Sequence, residues 1–158
     1  MIRPATPDDV PAIAHLIRAL AEYEKLFHEV NLVESALREH LFGKRPYCES
    51  LVAQDGDAVV GFALFFFNYS TFLAKPGLYL EDLFVFPEYR GKGHGKDLFI
   101  GCARLAVERG CGRFEWAVLD WNEPAIGFYK KMGAVAMDDW TVYRLMEPGL
   151  KSLVRSPE

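Results

Sequence analysis

Residues 87–95 read Pro-Glu-Tyr-Arg-Gly-Lys-Gly-His-Gly, and this stretch limits the fold more than any other part of the chain. Glycine loses more conformational freedom on folding than any other residue. Alternating glycines (Gly91, Gly93, Gly95) therefore do not belong inside a helix or a strand. They mark a connection. Before it, Gly77–Val85 carries a β-rich pattern that Pro87 stops. After it, Lys96–Arg109 is an amphipathic helix pattern with Leu98, Cys102, Leu105 and Ala106 on one face and Gly110 as its stop. Alternating glycines between a strand and a helix let the backbone come close to a ligand. The N–H groups at the helix start then form a nest for an anion. Arg90 and Lys92 add positive charge. This arrangement suits a pyrophosphate; a glycine-rich turn with no ligand is the plainer alternative. Two familiar pyrophosphate loops do not fit. A Walker loop ends Gly-Lys-Ser/Thr, where this one reads Gly-His-Gly-Lys. A dinucleotide loop has Gly-x-Gly-x-x-Gly in a βαβ unit, and here the spacing is Gly-x-Gly-x-Gly after a hairpin.

The flanking segments complete a mixed fold. Ile2–Ala5 reads as a short strand. Thr6-Pro7-Asp8-Asp9 then starts a helix that runs to about Tyr23 on Val10, Ile13, Leu16, Ile17 and Leu20. A second helix is expected over Val33–Phe42, ended by Gly43. Cys48–Ala53 and Ala58–Phe67 flank Asp55-Gly56, a strong hairpin signal. Ser70–Pro76 reads as a loop, Phe114–Leu119 as a strand, and Pro124–Met132 as a helix capped by Asn122 and ended by Gly133. Val142–Met146 is expected to form a last strand. The order β-α-α-β-β-β-α-β-α-β gives an α/β (α+β) fold with a mostly antiparallel central sheet and helices on both faces. One domain over residues 1–151 and a loose tail over 152–158 are expected.

Composition narrows the partners. The 158 residues carry a formal charge of −4 and no basic run, which argues against nucleic acid. The longest apolar stretches fall short of a membrane span. Cys48, Cys102 and Cys111 have no framework spacing, and the four histidines are scattered, so neither a disulfide scaffold nor a metal site is expected. A reducing cytoplasm is the default compartment.

The loop Arg90-Gly91-Lys92-Gly93-His94-Gly95, following Leu83-Phe84-Val85, resembles the acetyl-CoA loop of the GNAT superfamily of N-acetyltransferases. The element order matches over essentially the whole chain. Four further stretches resemble the diamine (spermidine/spermine) and thialysine acetyltransferase branch. They are Ile2–Thr6, Leu20-Ala21-Glu22-Tyr23-Glu24, Tyr79-Leu80-Glu81-Asp82-Leu83-Phe84-Val85, and Trp121-Asn122-Glu123-Pro124 running on through Tyr129-Lys130.

The resemblance implies a GNAT fold whose strand before the loop is bulged and splayed. It implies acetyl-CoA as co-substrate, held by the backbone of Leu83, Phe84 and Val85, by Arg90 and Gly91 to Lys96, and by Asn122, Pro124, Ala125 and Tyr129. It implies Glu81 as general base, acting directly or through water, and Tyr129 as general acid toward the departing thiolate. Backbone N–H groups near Leu83–Val85 would polarise the thioester carbonyl. Tyr23, Glu24, Glu81 and Asp82 would receive a cationic amine, and a homodimer is the family expectation. A base is needed because a lysine-like amine, with a pKa near 10.4, stands roughly 4 kcal/mol from its free form at neutral pH. Two departures from the polyamine pattern, Thr71 and Thr141, remove expected acidic residues and favour a diamine or lysine analogue. A non-catalytic acyl-CoA sensor, or an acetyltransferase acting on a protein lysine or N-terminus, are the competing functions.

Overall fold

The computed structural model describes residues 1–155. Strands β1 (Ile2–Pro4), β2 (Glu49–Asp55), β3 (Ala58–Ser70), β4 (Lys75–Val85) and β5 (Arg113–Trp116) form one sheet in that spatial order. Every pairing is antiparallel except β4 with β5. Helix α1 (Val10–Tyr23) and helix α2 (Glu34–Phe42) cover one face. Val10, Ile13, Leu16, Leu37 and Leu41 pack there against Val52, Phe62, Leu64 and Phe84. Helix α3 (His94–Glu108) packs on the sheet with Leu98, Phe99, Cys102 and Ala106 buried. It begins two residues before the expected start, because Gly93 in the left-handed region serves as its N-cap. Burial pushes the Cys102 thiol up to about 12, as suits a cysteine used as a small core hydrophobe.

The start of the chain follows its capping chemistry. A single 3-10 turn over Pro7–Asp9 precedes α1. The Asp9 carboxylate turns back to accept the Thr6 N–H at 2.7 Å and both arms of the Arg3 guanidinium at 2.7 and 2.9 Å. That fork ties β1 to the first helix. The hairpin forms where Asp55-Gly56 predicts it, with Gly56 at φ +61°.

The chain divides into two units, Met1–Leu119 and Asp120 onward. In the second, helix α4 (Glu123–Lys131) forms as expected, and Asn122 Oδ1 accepts the Ala125 N–H at 3.4 Å as its cap. The expected last strand over Val142–Met146 does not form. Residues 140–146 hold no regular element, and Trp140, Val142, Tyr143, Leu145 and Met146 are exposed. The apolar pattern there is strand-like, but a strand exists only through its ladder, and these residues have no partner strand in the described chain. Helix α5 (Glu147–Arg155) follows, with Pro148 in its first turn and Glu147 paired to Lys151 one turn on. It takes in residues 152–155 of the expected loose tail; residues 156–158 lie outside those described.

Candidate active site

The site begins with an irregularity in β4. Residues Gly77 to Leu80 pair in step with Asn68 to Phe65, and the register resumes with Asp82 opposite Leu64. Glu81 is therefore an extra residue, a β-bulge. A strict two-residue period would place Leu80 and Asp82 on one face. The bulge separates them. Leu80 pairs with Phe65, while Asp82 pairs with Leu64, so Asp82 joins Phe84 on the face covered by α1. Glu81 itself is exposed.

Strand β5 ends at the same point. Its last pair is Trp116 with Leu80, so from Glu81 to Val85 β4 has β3 as its one partner strand among the described residues. The expected bulge is present, and the pairing of β4 with β5 goes no further than Leu80. On the β3 side the approach is close. A Cβ at Gly61 would stand 2.9 Å from Val85 Cγ2 and 3.0 Å from the Phe84 carbonyl oxygen, so only glycine fits opposite Val85.

Three carboxylates meet near the bulge. Burial, then the charges of Glu81 and Glu24, raise the Asp82 carboxyl to about 7 from an ordinary 3.8. Burial also raises Glu24. Tyr23 lies beside them, with its ring 6.3 Å from that of Phe84. The structure thus brings together Tyr23, Glu24, Glu81 and Asp82, which are far apart in sequence. It adds Arg90. Its Nε donates to the Val85 carbonyl at 3.0 Å, and its guanidinium carbon lies 5.2 Å from the centroids of both the Tyr23 and Phe84 rings. Arg90 therefore faces the end of α1 rather than the glycines that follow it.

Those glycines take the conformation their spacing predicts. Gly91 and Gly93 have φ of +80° and +90°, and nothing stands within 4 Å of a Cβ at Gly91. At Gly93 only the Asp97 carboxylate comes as near as 3.9 Å. The loop is open, exposed and placed at the N-terminus of a 15-residue helix, where N–H groups lack intrahelical partners. This cradle and the open edge of β4 fit a pyrophosphate joined to an extended arm. Lys92 and His94 point to a common partner that sequence spacing does not reveal. Asp55 Oδ2, in the β2–β3 turn, lies 3.1 Å from Lys92 Nζ and 3.4 Å from His94 Nε2. Hydrogen bonds from these two groups hold the Asp55 carboxyl below its ordinary value.

Asn122, Pro124, Ala125 and Tyr129 share α4 and its cap in the second unit. Asn122 is buried, and the Tyr129 ring lies 5.5 Å from that of Phe128 at 66°.

Strand, bulge, open edge and glycine cradle together form a surface suited to a phosphate-bearing ligand extended along a sheet edge. Residues 13–134 match the family model described as Acetyltransferase (GNAT) family. The chain is 40% identical to the thialysine N-epsilon-acetyltransferase of Bos taurus, over 97% of this chain and 96% of the relative. It is 36% identical to an L-ornithine N5-acetyltransferase of Arabidopsis thaliana, over 96% and 86%. Among solved structures, an integron cassette protein from the mobile metagenome of V. cholerae superposes with a TM-score of 0.82 at 27% identity, covering 99% and 98%. The chain belongs to the GNAT acetyltransferase family, in the thialysine acetyltransferase branch. It is an N-acetyltransferase that acts on amines.

Proposed function

We propose that the acceptor is the primary amine of a small cation, a lysine analogue or a diamine, and that the donor is acetyl-CoA. The observation that carries this reading is the bulge. It sets Glu81 at the surface next to Asp82 and Glu24, so negative charge is concentrated where β4 loses its second neighbour. A cation entering there relieves the repulsion among the three carboxylates. The relatives named for thialysine and ornithine support a short amino-acid-like amine, in keeping with Thr71 and Thr141.

The residues would divide the work as follows. Glu81 takes the ammonium proton, directly or through water. Asp82, Glu24 and Tyr23 bind and orient the cation. The open cradle at Gly91–Lys96 and the free edge at Leu83–Val85 hold the donor, which supplies a thioester acyl group when bound. Asn122, Pro124 and Ala125 complete that hold, and the Tyr129 hydroxyl delivers a proton to the departing sulfur. No metal takes part in this scheme. The second unit supports a homodimer, because Trp140, Tyr143, Leu145, Met146 and Leu153 present apolar area to solvent. A monomer mass at micromolar concentration would refute it. The three unbridged cysteines are in keeping with a reducing cytoplasm, and no described helix is long and apolar enough to cross a membrane.

An amine panel tests the proposal. The purified protein is given acetyl-CoA with thialysine, ornithine, lysine, diaminopropane, spermidine or a lysine peptide. Products are read by mass, since the three thiols of the chain interfere with a colour assay for released CoA. Turnover is expected to favour the short amines. A preference for the peptide, or CoA binding without any product, would overturn it.

A further inference from the structure

We infer that Asp55 is a positioning residue for the donor site: a carboxylate in the β2–β3 turn that pulls the two side chains between the loop glycines to one side and leaves the glycine backbone open. The inference rests on the reading of Gly91–Lys96 as the pyrophosphate cradle.

In Gly91-Lys92-Gly93-His94-Gly95, only Lys92 and His94 carry side chains that can fold over the cradle. Both go to the same oxygen, Asp55 Oδ2, at 3.1 and 3.4 Å. The His94 side chain is only 12% exposed, so it is packed as well as bonded. Lys92 is steadied from a second direction by the Tyr89 ring, 5.2 Å from its Nζ to the centroid. Thus one carboxylate reaches the loop from 37 and 39 residues earlier in the chain. It meets the loop at its middle and at the first residue of α3.

On the side where a side chain would stand, nothing packs within 4 Å of Gly91 and only the Asp97 carboxylate comes within 4 Å at Gly93, so no packed neighbour there holds their left-handed φ values. A glycine at positive φ is free to leave it, since glycine populates both signs of φ about equally. The restraint has to come from the residues in between, and Asp55 supplies it. Ordering the loop before the donor arrives removes a cost that binding would otherwise meet.

A simple Coulomb argument predicts the opposite. A carboxylate near a pyrophosphate repels it and competes for Lys92. The two effects have opposite signs, so one substitution separates them. Asp55→Asn removes the charge and keeps the turn, because Asp55 is the last ladder residue, paired with Ala58, and the two-residue loop itself is Gly56-Asp57. Calorimetry with CoA is run on the unaltered protein, on Asp55→Asn and on Asp55→Glu. Backbone amide exchange over residues 90–96 is followed without ligand, and KM and kcat are measured where turnover is found. We expect CoA to bind Asp55→Asn on the order of threefold to tenfold more weakly, the size of one exposed ion pair and one further hydrogen bond. The KM for the donor should rise in proportion with kcat unchanged, loop amides should exchange faster, and Asp55→Glu should recover part of the loss. Equal or tighter CoA binding by Asp55→Asn, or unchanged loop exchange, would overturn the inference. Failure of the unaltered protein to bind CoA would instead overturn the assignment of the cradle.

Discussion

From Lys75 to Leu80, strand β4 gains a second neighbour, β5, over Gly77–Leu80, and it buries Gly77, Leu78 and Leu80. From Glu81 to Val85 it pairs, among the described residues, with β3 only, starts with a bulge, and carries two adjacent carboxylates. The first half spends its hydrogen-bonding capacity on the sheet. The second half keeps one backbone edge and its acidic side chains for other partners. The transition falls within one residue, where the bulge and the end of β5 coincide. The proposed chemistry thus falls on the second half of a strand whose first half is committed to the sheet, and substitutions at Leu80 and at Glu81 should affect different measurements.

The largest effect is expected at Asp82. In the folded protein burial and the neighbouring carboxylates push its carboxyl up to about 7, from an ordinary 3.8 that the unfolded chain keeps. Between these values the folded protein holds a proton that the unfolded chain has released, so stability falls as pH rises through this window. The full difference is worth up to about 4 kcal/mol. Asp82→Asn should flatten this dependence and raise the melting temperature at pH 8 relative to the unaltered protein. It should also remove a limb from the rate profile. Asp82 loses its charge as pH falls below about 7, so kcat/KM for a cationic amine should decline there, and the variant should lack that inflection. Stability that does not fall between pH 4 and pH 8 would sink the description of Asp82 as a half-buried acid with a raised pKa.

Two substitutions test the division between the halves directly. Leu80→Ala removes a side chain that is 2% exposed and should cost about 3 kcal/mol of stability by chemical denaturation. Its effect on kcat should be small by comparison, provided the protein is assayed below its melting point. Glu81→Gln lies one residue further on, is exposed, and should leave the melting temperature nearly unchanged. It should lower kcat/KM on the order of 100-fold, about 2.7 kcal/mol in the barrier. A large stability loss at Glu81 with normal turnover would reverse the comparison.

Much of this was legible in the residues because the signals were local. Alternating glycines, the Asp55-Gly56 turn, the Asn122 cap and the helix periods each act within a few positions, and each element formed near its expected place. What the residues concealed depends on partners far along the chain. Nothing in Leu80-Glu81-Asp82 reveals that β3 is one residue short opposite Glu81, yet that mismatch decides which face Asp82 takes. Arg90 reads as part of the glycine loop, but its guanidinium sits against Tyr23, which a sequence window does not bring near. Asp55 reads as a turn residue because its two partners, Lys92 and His94, lie on the far side of β3 and β4 in sequence. Val142–Met146 has strand-like composition without a ladder, and composition alone does not supply the ladder.

The smallest effect is the most specific. Glu24 comes after burial and Glu81 among the causes that raise Asp82, so it contributes less than either. It sits at the end of α1, while Asp82 sits on β4, so their coupling depends on the bulge having turned Asp82 toward that helix. Glu24→Gln removes a negative charge and makes ionised Asp82 easier to form. The acid limb of kcat/KM should then move to lower pH by a fraction of a unit, while the KM for the amine rises because one cation-binding group is lost. Charge removal at a site unrelated to Asp82 would change KM alone. An acid limb that stays in place in Glu24→Gln but disappears in Asp82→Asn would mean that the two carboxylates act separately, and that the second half of β4 works without the end of α1.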